Sequence, residues 1–359
     1  MGEALHFQKA WVLPGAEEPT ELWIADGVIV EGPVSGAQSR SAECWVLPGL
    51  VDAHCHIGLG PEGAVDAATA RRQALEDLSA GTMLIRDAGS PADTRWVQQD
   101  GDLPRLLRAG RHVARPKRYL RGVGAEVEPA DLVEQVRHEA RSGDGWVKLV
   151  GDWIDRSVGD LAPLWPADVA AQAIAAAHEE GARVTAHCFG EQSVAELVSA
   201  GIDCIEHGTG MTDEVIEEMV RRGTALVPTM INLARFPMYA APAKDKYPTY
   251  FTHMTDLYER RKATIGKAVE AGVQVYSGTD AGTVVPHGQI RSEIEELAEV
   301  GGNGFALGAA SWRARGWLGA DVLTTGASAD LIVLDADPRE DLTALYRPAS
   351  LVLRGRVVH

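Results

Sequence analysis

The chain has 359 residues, 45% of them hydrophobic and 24% charged, the profile of a soluble globular protein long enough for one large α/β domain or two ordinary ones. Lys and Arg total 34 against 51 Asp and Glu, a formal net charge of −17. That balance excludes nucleic acid or an anionic membrane as the main partner, while leaving room for a local basic pocket. Cys44, Cys55, Cys188 and Cys204 form no CxxC pair, so neither a zinc knuckle nor a redox motif is indicated, and the low count suits a reducing compartment. No apolar run reaches membrane-spanning length, and no signal-peptide core precedes the first charges. The expectation is a cytoplasmic protein.

Short strands open the chain: ALHFQKAWVL, ELWIADGVIV and AECWVLPG, separated by Gly, Pro and Ser turns. The last segments, ADLIVLDAD and ASLVLRGRVV, have the same character. Two β-rich ends around a long α/β middle predict one small sheet domain from residues 1–48 and 318–359, with 49–317 between.

The middle alternates. Apolar strand candidates stand at 50–57, 82–89, 145–151, 182–189, 203–209, 224–230 and 273–282, with an eighth, short and basic, at 111–121. Between them lie amphipathic stretches such as PADVAAQAIAAAHEEG and DEVIEEMVRRG, which end at Gly, the usual helix stop. Repeated strand–helix units predict parallel βα architecture, and eight of them fit a closed (β/α)8 barrel. A doubly wound sheet would alternate in the same way, but no glycine-rich phosphate fingerprint follows the first strand.

Candidate ligands cluster at strand ends. In His54-Cys55-His56 the two imidazoles share one face of a strand and Cys55 takes the other. Two imidazoles on one face suit a zinc-like ion, although two packed histidines would look the same. Lys148 stands mid-strand in GWVKLVG among apolar residues, where a lysine needs a partner; a carboxylate cap would be the plain explanation. His187 ends ARVTAHC, His207 ends DCIEH and Asp280 ends VQVYSGTD. In a barrel, strand ends converge on one pocket, so these residues are read together. Thr279 beside Asp280 could orient the carboxylate. Cys55 and Cys188, each next to a ligand histidine, face away from it by strand alternation and read as core cysteines.

The segment VLPGLVDAHCHI, followed by Lys148, His187, His207, GTDAG and the closing SADLIVLDADP and VLRGRVV, resembles the amidohydrolase superfamily of metal-dependent hydrolases, with its imidazolonepropionase- and prolidase-like binuclear members closest in look. The resemblance implies a TIM barrel with a small β-sandwich built from both termini. It implies that His54, His56 and Asp280 hold one divalent metal and His187 and His207 a second. Lys148, carbamylated by CO2, would bridge them, because an ammonium cannot ligate a cation and a carbamate can. Zn2+ is the ion that the ligand types favour, with Fe, Mn or Co able to occupy the same site. The implied reaction is attack by a metal-bridging hydroxide on a carbonyl C–N bond of an amide or cyclic amide other than an ordinary protein peptide bond, with Asp280 moving the proton. The same ligands would also serve a dehydrative cyclase. A non-catalytic scaffold on this fold is the reading from another class; such relatives usually lose ligands, and all six are present here.

Specificity should reside in the βα loops. Candidates to touch a small-molecule substrate are Arg118, Arg121, Trp153, Asn232, Tyr239 and His287. Arginines in an acidic chain suit a substrate carboxylate, and the aromatic residues suit a flat ring. The excursion from 232 to about 253 is long enough to act as a lid. Self-association into a homo-oligomer is left open.

Overall fold

The computed structural model describes residues 4–358; Met1–Glu3 and His359, at the outer ends of the two terminal segments, lie outside the described residues. Both ends of the chain enter one 8-stranded sheet. Leu5–Val12 pairs antiparallel with Thr20–Ala25 and parallel with Cys44–Pro48, and Cys44–Pro48 pairs antiparallel with Leu331–Leu334. Ser350–Leu353 and Arg356–Val357 complete that side. Leu5, Phe7, Ile24, Val46, Leu331, Val333 and Val352 form its apolar core.

The middle of the chain is mixed α/β with parallel strands. Arg105–Arg108 pairs with Thr82–Asp87, which pairs with Leu50–Cys55. A second series runs through Val113–Ala114, Trp146–Val150, Arg183–Cys188, Cys204–His207 and Ala225–Val227. Segment 273–282 joins the two. Tyr276 N donates to Leu226 O (2.9 Å) on one side, and Ala53 N to Ser277 O (2.9 Å) on the other. It forms isolated bridges rather than a regular strand, and Asp280 near its end has a left-handed backbone with φ of 58°. Trp146–Val150 is buried at all five positions, as in a parallel sheet covered on both faces.

Every amphipathic stretch named above is helical. Asp213–Arg222 shows why: Thr212 caps its first turn, acidic residues begin it, basic residues end it, and Gly223 adopts φ of 74° to stop it. Segment 111–121 differs from expectation, contributing only Val113–Ala114, while the strand beside Thr82–Asp87 is Arg105–Arg108. Its sequence RLLR buries only Leu106, so no apolar run marks it. The segment after Trp146–Val150 is also more ordered than a loop, forming the hairpin Asp152–Asp155 with Asp160–Pro163. No helix among the described residues is long and apolar enough to cross a membrane.

Two contacts tie these layers together. Trp146, 1% exposed, has the guanidinium groups of Arg86 (4.5 Å) and Arg183 (4.1 Å) over its ring. His253, on the long helix Pro248–Ala271, places Nδ1 2.9 Å from Asp160 of the hairpin and Nε2 2.9 Å from Glu191, which also binds Arg260. The Glu191 hydrogen bond, helped by Asp160, raises the His253 imidazole to about 9.

Trp146→Ala should destabilise the protein by about 3–5 kcal/mol, read as a lower urea midpoint with an unchanged slope. Because the folded His253 value lies above its unfolded one, its stabilisation is complete below about pH 6.5 and lost as pH rises through about 9. Denaturation of wild type and His253→Gln should therefore differ most in mildly acidic buffer and converge above about pH 9; a gap that widens with pH would contradict this.

Candidate metal centre

The strand Leu50–Cys55 carries His54, and His56 follows at its end. Segment 275–281 lies alongside, with Asp280 N donating to His54 O (2.7 Å) and His56 N to Ala281 O (2.8 Å). Gly278 permits that approach, since a Cβ there would stand 2.8 Å from His54 Cβ. Asp280 Oδ1 consequently sits 3.1 Å from His54 Nε2 and 3.2 Å from His56 Nε2. His56 Nδ1 lies 2.7 Å from Gly89 O, which assigns that nitrogen the proton and leaves Nε2 as a lone-pair donor. Asp280 Oδ2 accepts from Asn232 Nδ2 (2.7 Å), and Tyr239 OH donates to Asn232 Oδ1 (2.6 Å). Thr279 does not touch the Asp280 carboxylate; its hydroxyl donates to Asp52 Oδ2 at 2.6 Å.

On the neighbouring strands, His187 Nδ1 and His207 Nε2 are 2.9 Å apart, and His207 Nδ1 is 2.7 Å from Thr229 Oγ1. The His207 ring lies 5.4 Å from that of His54. Lys148 Nζ bonds Glu206, a residue the sequence reading passed over. Glu206 Oε1 accepts from Thr185 Oγ1 (2.8 Å) and Arg86 Nη2 (3.3 Å), with His54 Nδ1 at 3.4 Å. Strand alternation would send Glu206 and His207 to opposite faces. His207 escapes it with φ of 67°, so both side chains reach the centre. The available signal was a charged residue inside a buried strand, the criterion that singled out Lys148.

Burial disfavours the charged imidazolium, lowering His54 and His187 and bringing His207 down to about 3. Burial alone would raise Glu206, but His54, Lys148 and Arg86 outweigh it and hold the carboxylate ionised. Asp280 is likewise held far below its ordinary range, burial being outweighed chiefly by His54, with His56 and His207 adding to it. Burial also works against charge on His56, but Asp280 outweighs it and raises that imidazole; the neutral imidazoles of His54, His187 and His207 beside anionic carboxylates are donors for a divalent cation. Both ring nitrogens of His54 and Nε2 of His187 are buried without hydrogen-bond partners, and His54, His56 and Asp280 place one donor atom each within 4.8 Å of the others. The residues therefore fit a metal.

The residues nominated for substrate contact divide. Asn232 and Tyr239 reach the centre through Asp280. Trp153 stands 5.5 Å from the His187 ring and 4.8 Å from Tyr119, and Tyr119 is itself 5.7 Å from His187. Phe189 and Phe236 extend this aromatic wall, 4.6 Å apart. Arg118 is engaged elsewhere, donating to Asp155 Oδ2 (2.7 Å) and to the carbonyls of Trp153 and Ala162. Arg121 is exposed. His287 pairs with Asp77 at 2.8 Å, in a group with Cys55, on the face of the first strand opposite His54 and His56.

Parallel strands whose ends gather histidines, an aspartate and a lysine define a metal-dependent hydrolase class, and comparison with known proteins agrees. The chain belongs to the amidohydrolase family, whose profile matches residues 45–358, and it is accordingly a hydrolase. An uncharacterized protein of Mycobacterium tuberculosis is 53% identical over 342 residues, covering 95% of this chain and 92% of the relative. Ochratoxinase of Aspergillus niger is 24% identical over 404 residues, covering 95% and 83%. The crystal structure of a Xaa-Pro dipeptidase with bound methionine superposes with a TM-score of 0.82 at 22% identity, covering all of both chains. This likeness implies a TIM-barrel-type α/β fold.

Glu206→Gln removes the only carboxylate that Lys148 contacts among the described residues. In chelator-treated protein it should cost about 3–5 kcal/mol, because Lys148 and Arg86 are left buried without their counter-charge; a change below about 1 kcal/mol in a urea melt would show that the network is not a structural anchor.

Proposed function

We propose that the protein is a metal-dependent hydrolase cleaving a carbonyl C–N bond, in an amide or cyclic amide, of a small molecule bearing an aromatic or apolar substituent. The observation that carries this reading is the convergence of His54, His56, Lys148, His187, His207 and Asp280 on one centre, with only the Asp280 side chain reaching solvent appreciably, at 20% exposure. His54, His56 and Asp280 would hold one divalent ion, zinc being favoured by the donors, and His187 and His207 a second. Such ions, when bound, supply an activated water and polarise the substrate carbonyl.

The chain's own residues supply the rest. Asp280 Oδ1 faces the imidazoles while Asn232 holds Oδ2, so the carboxylate keeps one orientation as it accepts the nucleophile's proton and passes it to the leaving nitrogen. Tyr239 fixes the Asn232 amide so that its NH2 faces Asp280. Tyr119, Trp153 and Phe189 line the His187 side and exclude water from the reacting carbonyl. As an ammonium bonded to Glu206, Lys148 donates hydrogen bonds; only as a carbamate would it join the ligands. We read the parallel strands as a closed (β/α)8 barrel spanning 49–317, with 1–48 and 318–359 forming the small β-sandwich.

Zinc-loaded protein should hydrolyse members of a panel of N-acyl aryl amides and N-acyl amino acids, with both fragments identified by mass spectrometry. Asp280→Asn should lower kcat by about 10²–10⁴ while remaining folded. A wild-type rate in that variant, or products that are the substrate less water, would replace hydrolysis by another reaction.

A further inference from the structure

Behind the strand that carries His54 and His56 lies a second convergence of donor groups. Cys55 points away from the ligand imidazoles into an apolar layer with Ile57, Ala74 and Ile85. Asp77, on the helix Ala67–Ser79, and His287, in the turn before the helix Ile290–Gly301, meet it there. One donor atom from each of Cys55, Asp77 and His287 lies within 4.8 Å of the other two, and all three residues are buried.

The internal contacts leave this group incomplete. His287 Nδ1 is 2.8 Å from Asp77 Oδ2, and Asp77 Oδ1 accepts from Gly288 N at 2.7 Å. His287 Nε2 is buried with no hydrogen-bond partner, in a side chain only 4% exposed. A lone Asp–His pair would not require a cysteine beside it. A thiol, a carboxylate oxygen and an imidazole nitrogen drawn this close together in an apolar interior are donors suited to a zinc-like cation.

We propose that Cys55, Asp77 and His287 form a structural site for one zinc-like divalent cation, separate from the catalytic centre. Sulfur, nitrogen and oxygen donors together favour zinc over the hard cations magnesium and calcium. The cation displaces the Cys55 thiol proton, which leaves to solvent as the metal–sulfur bond forms. Because the site is enclosed, it loads as the chain folds rather than by exchange with substrate. The bound ion ties the helix Ala67–Ser79 and the His287 turn to the strand that holds His54 and His56.

Cobalt separates this site from the catalytic one, whose proposed ligands are nitrogen and oxygen only. Protein unfolded in chelator and refolded with Co2+ should show a near-ultraviolet thiolate-to-cobalt charge-transfer band in addition to the visible d–d bands. Cys55→Ser should abolish the charge-transfer band and bind about one equivalent less metal by elemental analysis, while keeping d–d absorption. His287→Gln provides a second variant and should weaken the band in the same way. Cobalt-loaded wild type without a charge-transfer band, or a band that persists in Cys55→Ser, overturns the proposal. Failure of the hydrolase reading would appear differently, as no amide turnover in protein that still shows the band.

Discussion

Glu206 has no contact with solvent, yet five parallel segments meet at its carboxylate. Arg86 reaches it from Thr82–Asp87, Lys148 from Trp146–Val150, Thr185 from Arg183–Cys188 and His54 from Leu50–Cys55, while Glu206 itself belongs to Cys204–His207. Arg86 also donates to Ala53 O at 2.6 Å and lies over Trp146. Two cations enclosed without this anion would have to shed their charge or open the interior to water. The floor of the candidate metal centre is therefore electrostatic, and the strands that bear its histidines are held in register by a charge they share.

Above that floor the chemistry changes character. The imidazoles of His187 and His207 face a wall of Tyr119, Trp153, Phe189 and Phe236. Arg118, which might have offered a carboxylate site, spends its guanidinium joining its own loop to the hairpin Asp152–Pro163. That hairpin is in turn fastened to the long helix by His253. The loops above the centre thus form one linked surface, with Trp153 carried on the hairpin and Tyr119 on the loop that Arg118 tethers.

Much of this was legible in the sequence. Apolar runs bounded by glycine marked the strands and helices, and the polar residues ending those runs are the ones the structure gathers. What stayed hidden had local physical causes. RLLR at 105–108 buries one leucine and shows no run at all. Glu206 was concealed because alternation assigned it to the face opposite His207, and only a left-handed backbone at His207 brings both inward. The contacts of His287 and Arg118 depend on partners far away in the chain, which periodicity does not register. The hairpin after Lys148 reads as a polar loop because its strands are half-buried at most positions.

The sheet built from both ends of the chain has a consequence for the order of synthesis. Cys44–Pro48 leaves the ribosome early but lies between Leu5–Val12 and Leu331–Leu334, so one of its edges has no partner until the entire α/β middle has been made. That middle can fold as it emerges, since its strands pair mostly with near neighbours in the chain. During this interval the first strands present an open hydrogen-bonding edge to any other nascent chain. Leu331–Leu334, made only after that middle, closes the edge, and its docking is the point at which a folding chain passes from aggregation-prone to protected.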